Sequence, residues 1–132
     1  MKKLLTALLV EPGFPCQPVL VEDNIKAMQG VVGGHIESIS CKPDPIAILC
    51  DEDAKGKALP MNRVLMAPDQ SFRDIIHGPF LIVQTKGDKF VSLSDPMLVK
   101  YTLKYMIPDR FRKGKNGELH VEHFEHRENF EN

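Results

Sequence analysis

Three short apolar runs most constrain what this chain can fold into. They cover residues 4–10, 46–50 and 80–83, and turn-forming residues such as proline, glycine and aspartate lie beside each of them. An unbroken apolar pattern of this length is typical of strands that are buried within a sheet. We therefore predict three buried strands, with residues 46–50 in a central position.

Two helices are predicted between the strands. The first covers residues 24–32, because Asp23 suits an N-cap and Gly33 allows the left-handed conformation with which helices commonly end. The second covers residues 96–107. Its first residue is a proline, which fits a first helical turn, and Pro108 ends it.

Shorter patterns complete the predicted sheet. Residues 17–22, 35–41 and 89–93 have the polar and apolar content of partly buried strands. Residues 58–69 contain two prolines and no clear period, so we predict an ordered loop there.

These elements predict an α+β fold with one domain. We expect a mixed, mostly antiparallel sheet of about five or six strands, with two helices packed on one face. The domain is predicted to cover residues 1–107. Residues 108–132 change to a charged composition, which favours a mobile or loosely docked C-terminal tail.

Charge limits the partners of the whole chain. Its 132 residues include 17 Lys+Arg and 18 Asp+Glu, which gives a formal net charge of −1. Such a chain has neither the broad positive field of a general nucleic-acid binder nor the dense negative surface of a DNA mimic. Either property is expected only as a local patch.

The predicted location is the cytoplasm. Three cysteines are an odd number and lack CxxC spacing, which favours buried thiols in a reducing compartment; one disulfide with a free thiol is the alternative. The start of the chain imitates a secretory leader, but its apolar run is short and no small-x-small cleavage site follows. No run reaches the roughly 18 residues of a membrane span, so no membrane contact is expected.

A basic stretch is the candidate nucleic-acid patch. Cations alternate with aromatic residues there, a composition suited to phosphate contact and base stacking. The alternative is that Tyr101 and Tyr105, one helical turn apart, belong to the core. The candidate cations are Lys104, Arg110, Arg112, Lys113 and Lys115.

Three histidines form the candidate metal site. His120, His123 and His126 are three residues apart, and imidazoles at that spacing share a helix face. Each step of three residues rotates about 60° around a helix, so the outer pair diverge. A solvated tail rich in Glu and His is therefore the favoured interpretation, and we expect no cofactor.

A third candidate site combines acids, an amide and a guanidinium group. Asp51 and Glu52 lie in a charged turn, and Asn62 with Arg63 suits recognition of a carboxylate, a phosphate or a base edge. The alternative is that Arg63 pairs with Asp51 or Glu52 inside the fold.

Several sequence blocks, in this order, resemble the DUF3846 family. Together they span about residues 3–105, and the resemblance depends on their combination. The resemblance implies a small protein carried by phages, plasmids and conjugative elements of Gram-positive bacteria, with no established activity and no catalytic residues to transfer. The blocks are LLVEPG from Leu8, VVGGHIE from Val31, DEDAKGK from Asp51 followed by LPMNR from Leu59, IHGPFLIV from Ile76, and FVSLSD from Phe90.

The expected function is binding without catalysis. No nucleophile and base lie at a meaningful spacing, so an enzyme is disfavoured. The setting implied by the resemblance suggests an accessory or anti-defence protein that binds a host protein, with a homo-oligomer as an open alternative. The alternative is a protein that sequesters a nucleotide or binds nucleic acid through Asn62, Arg63 and the basic stretch.

Overall fold

The structure, a computed structural model, describes residues 2–125. Runs of consecutive strands are separated by two helices, an order typical of an α+β fold. The elements are β1 (Leu4–Val10), β2 (Gln17–Glu22), α1 (Ile25–Val32), β3 (Ile36–Ser40), β4 (Ile46–Asp51), β5 (Met61–Met66), β6 (Phe72–His77), β7 (Phe80–Lys86), β8 (Lys89–Val91), α2 (Asp95–Tyr105), β9 (Arg110–Lys113) and β10 (Leu119–Glu122).

A six-stranded sheet forms the centre of the fold. Its strand order is β2-β1-β7-β4-β3, and β8 pairs with the C-terminal end of β7. All strand pairings in residues 2–125 are antiparallel. The predicted α+β class and mostly antiparallel sheet are confirmed, although the sheet is not mixed.

The central strands are buried on both faces, as their apolar runs predict. Along β7, Phe80 and Ile82 point into one core, whereas Leu81 and Val83 point into the other. The strands β1 and β4 divide their residues in the same alternating way. Side chains of a strand alternate between faces, so an unbroken apolar run supplies two cores at once.

The two helices cover opposite faces of the sheet, so the prediction that they share one face is wrong. Helix α1 packs Met28 and Val32 into one core. Helix α2 packs Tyr101 and Tyr105 into the other, where Tyr105 meets the ring of Phe80 edge-on at 5.6 Å. The physical reason is that a central sheet that is apolar on both faces needs cover on both.

The β5–β6 hairpin shares the α2 face of the sheet. Leu65 of β5 and Ile76 of β6 belong to the same core as Tyr101 and Tyr105. The prediction of a loop at residues 58–69 is therefore wrong for residues 61–66, which form β5, and β6 was not predicted either. Two polar residues in the middle of β5 hide its strand pattern.

Residues after Pro108 also form an ordered element. Strands β9 and β10 pair as a hairpin, and the buried carboxylate of Asp109 holds its base. Asp109 accepts hydrogen bonds from the backbone N–H groups of Val64 at 2.7 Å and Phe124 at 2.8 Å. The charged segment after Pro108 thus contains a hairpin, and the division into a domain of residues 1–107 and a tail of residues 108–132 stays a prediction.

Both helices are short, and their ends differ slightly from the prediction. Asn24, rather than Asp23, caps α1 by accepting a hydrogen bond from the Ala27 N–H at 2.7 Å. Gly33 ends this helix with a φ of 90°. Within residues 2–125, neither helix has the length and apolar character needed to cross a membrane.

An ion pair between the buried Asp51 and the exposed Lys57 lies at the end of β4, beside the turn after α1. Asp51 accepts hydrogen bonds from Lys57 at 2.6 Å and from the Asp53 N–H at 2.9 Å, and these bonds lower the pKa of Asp51. A Cβ atom at Gly34 would lie 2.8 Å from both carboxylate oxygens and from the Lys57 Nζ atom. Only glycine therefore fits beside this pair without displacing it.

Two glycine substitutions should change stability in opposite directions. Gly34→Ala is expected to reduce the free energy of unfolding by about 1–3 kcal/mol, because the added methyl group displaces the Asp51–Lys57 pair. Gly30→Ala is the matched control, since Gly30 lies in α1 with open space around it. It should raise stability by about 0.5–1 kcal/mol. Urea denaturation measures both, and equal effects would contradict the packing argument.

Candidate functional site

The structure places Asn62 and Arg63 inside the protein. Their exposed fractions are 0% and 1%. The Asn62 amide donates to the carbonyls of Val10 at 2.9 Å and Gly78 at 2.8 Å, and Arg63 Nη1 donates to Asn62 Oδ1 at 2.9 Å. These two side chains therefore link strands and do not present themselves to a ligand in solvent, contrary to the predicted binding role.

The Arg63 guanidinium group also reaches two distant segments. Its Nη2 atom donates to the carbonyls of Phe14 at 2.6 Å and Tyr105 at 2.9 Å. Burial lowers the pKa of Arg63, and the nearby Asp109 carboxylate opposes that effect. Backbone carbonyls, with one buried negative charge nearby, therefore hold the cation in the core.

Asp51 and Glu52 do not meet Arg63. Asp51 is buried and bonded to Lys57, whereas Glu52 is exposed in the turn that follows β4. The predicted pairing of Arg63 with either acid is wrong, because neutral carbonyl groups take up its donors. The four residues of this candidate site therefore lie in two separate places.

The structure divides the candidate nucleic-acid patch. Tyr101 and Tyr105 are buried, which supports the alternative that both tyrosines belong to the core. Lys104 lies on α2. The other four cations are exposed on the β9–β10 hairpin and its turn, where the half-buried Phe111 is the aromatic residue between them; they are Arg110, Arg112, Lys113 and Lys115.

The two described histidines of the candidate metal site, His120 and His123, contact different carboxylates. His120 Nε2 lies 3.3 Å from Glu118, whereas His123 lies between Asp109 at 3.0 Å and Glu125 at 3.3 Å. His126 lies outside the described residues. Residues 2–125 contain no group of three side chains placed to hold a metal ion.

A large cleft lies on the α2 side of the sheet. It encloses about 850 Å³ between α2, the β3–β4 turn and the β5–β6 hairpin. Its walls combine apolar side chains with charged groups that come from distant parts of the chain. The apolar wall residues include Leu65, Met66, Met97 and Leu103, and the charged lining residues are Lys42, Asp44, Arg73, Lys100, Lys104 and Glu125.

A hydrogen-bonded cluster lies at one end of this cleft. Asp44 Oδ2 accepts from Lys100 at 2.7 Å and from the Tyr101 hydroxyl at 2.8 Å. Burial acts to raise the pKa of Asp44, but these two donors outweigh it and the pKa lies below its usual value. Lys104 places its ammonium group 5.8 Å from the Tyr101 ring centre. The cluster therefore holds an ionised carboxylate beside two cations.

The thiol and the phenol that line the cleft are both held in their protonated forms. Cys41 is its thiol, and burial raises the pKa of that thiol despite the nearby Lys104 and Arg73. Burial also raises the pKa of Tyr101, so its hydroxyl stays protonated as a donor to Asp44. A thiol that resists ionisation is a poor nucleophile.

The comparisons with known proteins identify a family and leave the chemistry open. A family model, described as a domain of unknown function (DUF3846), matches residues 3–106. The chain belongs to the DUF3846 family. Searches of curated proteins and of solved structures gave no match. The DUF3846 region ends one residue after α2, so the β9–β10 hairpin lies beyond it.

Sequence reasoning missed most residues of the cleft. Lys42 and Asp44 lie in the turn after β3, Arg73 lies on β6, and Lys100 lies on α2. The sequence feature that could have pointed to the cleft is a charged turn with two prolines at residues 42–45. No local pattern connects that turn with β6 and α2.

Replacing Arg63 should destabilise the protein rather than remove a binding function. Arg63→Met leaves the Phe14 and Tyr105 carbonyls and Asn62 Oδ1 without their donor, and each lost bond costs about 1–3 kcal/mol. We expect a loss of about 3 kcal/mol or more in urea denaturation. The control is Arg73→Met at an exposed position, with a change within about 0.5 kcal/mol. A stable Arg63→Met protein would contradict the structural role.

Proposed function

We propose that this DUF3846 protein is a non-enzymatic binding protein that holds a small phosphorylated ligand of the nucleotide class in the cleft of α2. The observation that carries the proposal is the charge of the cleft. Four cations and two carboxylates line it, although the whole chain has a formal net charge of −1. The positive charge is therefore concentrated where a ligand can be enclosed.

The size and walls of the cleft support the same class of ligand. A volume of about 850 Å³ lies within the roughly 300–1,000 Å³ that is usual for small-molecule sites. Leu65 and Met66 on one side and Met97 on the other offer apolar surface to a planar base. Arg73 and Lys104 supply the charge-assisted donors that phosphate groups require.

The proposed biological role is sequestration. A protein that binds a nucleotide without converting it lowers the free concentration of that nucleotide. In a phage or another mobile element, such sequestration would serve as an accessory or anti-defence activity in the host cytoplasm. The proposal thus combines the setting suggested by the family resemblance with the charge of the cleft.

Removal of two cleft cations should weaken ligand binding. A panel of inorganic pyrophosphate and nucleoside diphosphates should raise the melting temperature of the wild-type protein, since a ligand that binds the folded state stabilises it. Arg73→Ala with Lys104→Ala is expected to raise Kd at least tenfold, because each charge-assisted bond contributes about 1.5–3 kcal/mol. Calorimetric titration measures the change.

The matched control removes the same charge elsewhere. Lys86→Ala with Lys89→Ala changes two exposed lysines of the β7–β8 turn and should leave Kd within twofold. Equal losses in both double variants would indicate a general charge effect and contradict the cleft. Absence of binding by every compound in the panel would refute the proposed function.

A second candidate function is binding of a host protein. It is favoured by exposed apolar side chains at one edge of the main sheet: Leu20 of β2 is 68% exposed, and Ile25 at the start of α1 is 54% exposed. An exposed edge strand with apolar side chains is a common surface for protein association.

The two candidates respond differently to salt and to mutation. A complex with a purified host protein through the β2 edge should be lost in Leu20→Lys and should persist at high salt. It should also survive Arg73→Ala with Lys104→Ala. If binding instead weakens as salt is added and is reduced in the double variant Arg73→Ala with Lys104→Ala, the result favours the phosphorylated ligand.

A further inference from the structure

One of the two carboxylates in the cleft comes from beyond the DUF3846 region. Glu125 lies three residues after the end of β10 and lines the cleft together with Arg73 and Lys104. Its side chain is 13% exposed. Burial raises the pKa of Tyr105 at the end of α2, and the Glu125 carboxylate adds to that effect. An acidic side chain therefore lies against the cavity in which the proposed function places a phosphorylated ligand.

Residues 123–125, which we call the strap, are tied to the residue that follows Pro108. His123 contacts the Asp109 carboxylate through Nδ1 at 3.0 Å and the Glu125 carboxylate through Nε2 at 3.3 Å. The Phe124 N–H donates to the same Asp109 carboxylate at 2.8 Å. The buried Asp109 thus positions the strap beside the end of α2, where Glu125 meets the cleft.

The strap is anchored by hydrogen bonds rather than by the apolar core. Its three side chains are half-buried, and Val121 and Glu122 before it are exposed. Among the described residues, the two cores of the domain include no side chain of the strap. A segment with few buried apolar contacts opens locally at low free-energy cost. The strap can therefore leave the cleft while the domain stays folded.

A carboxylate and a phosphate compete for the same cations. Both are anionic oxygen groups that accept hydrogen bonds from guanidinium and ammonium donors. A phosphate placed near Glu125 is repelled by its charge, and this repulsion is stronger in a partly buried site than in water. Ligand binding and strap docking therefore oppose each other, and each weakens the other by the same factor.

We infer that the strap is an autoinhibitory element, in which the Glu125 carboxylate takes the place of a phosphate in the cleft until a ligand displaces it. This inference rests on the proposed function, since it concerns the regulation of the same cleft. His123 and Asp109 are positioning residues that hold the strap in its docked place. The strap lies beyond residues 3–106, which match the DUF3846 model, so it adds regulation to the domain from outside.

The first test compares the binding of inorganic pyrophosphate and of ADP by the wild-type full chain and by Glu125→Gln. Glutamine keeps the side-chain shape and removes the charge, so Kd for both compounds should fall about fivefold or more. The matched control is Glu122→Gln, which removes an exposed carboxylate of β10 and should leave Kd within about twofold. Calorimetric titration measures Kd in all three proteins.

The second test follows displacement of the strap by amide hydrogen exchange in the wild-type protein. Pyrophosphate should speed exchange at the Phe124 N–H, because its hydrogen bond to Asp109 is lost when the strap leaves. The Val64 N–H is the internal control, since it donates to the same carboxylate from β5 and should stay protected. This measurement needs no variant, so it decides the inference even if Glu125→Gln is unstable.

Each result decides a different statement. An unchanged or higher Kd in Glu125→Gln, or an equal fall of Kd in Glu122→Gln, overturns autoinhibition and leaves the proposed function in place. Unchanged or slower exchange at Phe124 on ligand binding also overturns it, because the strap then stays docked. Absence of binding by every compound of the panel, in the wild-type protein and in Glu125→Gln alike, overturns the proposed function and the inference together.

Discussion

The buried Arg63–Asn62 pair is the interaction on which the rest of the α2 face depends. It joins the end of β1, the loop after it, the β6–β7 turn and the last residue of α2 through carbonyls of Val10, Phe14, Gly78 and Tyr105. A guanidinium group suits this position because its donors spread in a plane toward several acceptors. Apolar side chains in its place would leave those carbonyls unpaired in the core.

The same network fixes the shape of the candidate cleft. Arg63 lies on β5 and binds the Tyr105 carbonyl, so it ties one wall of the cleft to the end of the helix that forms the opposite wall. Asp109 adds a second tie, because it follows α2 and accepts from the Val64 N–H. A preorganised cleft costs less conformational entropy when a ligand binds.

The sequence predicted those parts of the fold that depend on local pattern. The apolar runs gave β1, β4 and β7, because a strand buried on both faces needs no alternation. The same runs implied that other elements must pack against both faces of the sheet. The prediction instead placed both helices on one face. Strand β5 was missed because Asn62 and Arg63 interrupt its apolar pattern, and their burial depends on acceptors up to 52 residues away in the chain.

The candidate site was less predictable because its charge is assembled by the fold. Asn62 and Arg63 looked functional since polar residues of this kind commonly bind ligands. The Asn62 amide and the Arg63 Nη donors are instead used within the core, where the buried Arg63 Nε has no hydrogen-bond partner among the described residues. The cations Arg73 and Lys100 looked like ordinary surface charges, and only the packing of β6 against α2 places them around one cavity. A near-neutral chain can therefore hold a cleft with more cations than carboxylates, provided that most of its acidic residues lie elsewhere. The two carboxylates that the fold retains there are held differently. Asp44 accepts hydrogen bonds from Lys100 and Tyr101, both of which line the cleft. Glu125 is held by His123 of the strap itself, and this makes Glu125 the carboxylate that a ligand can displace.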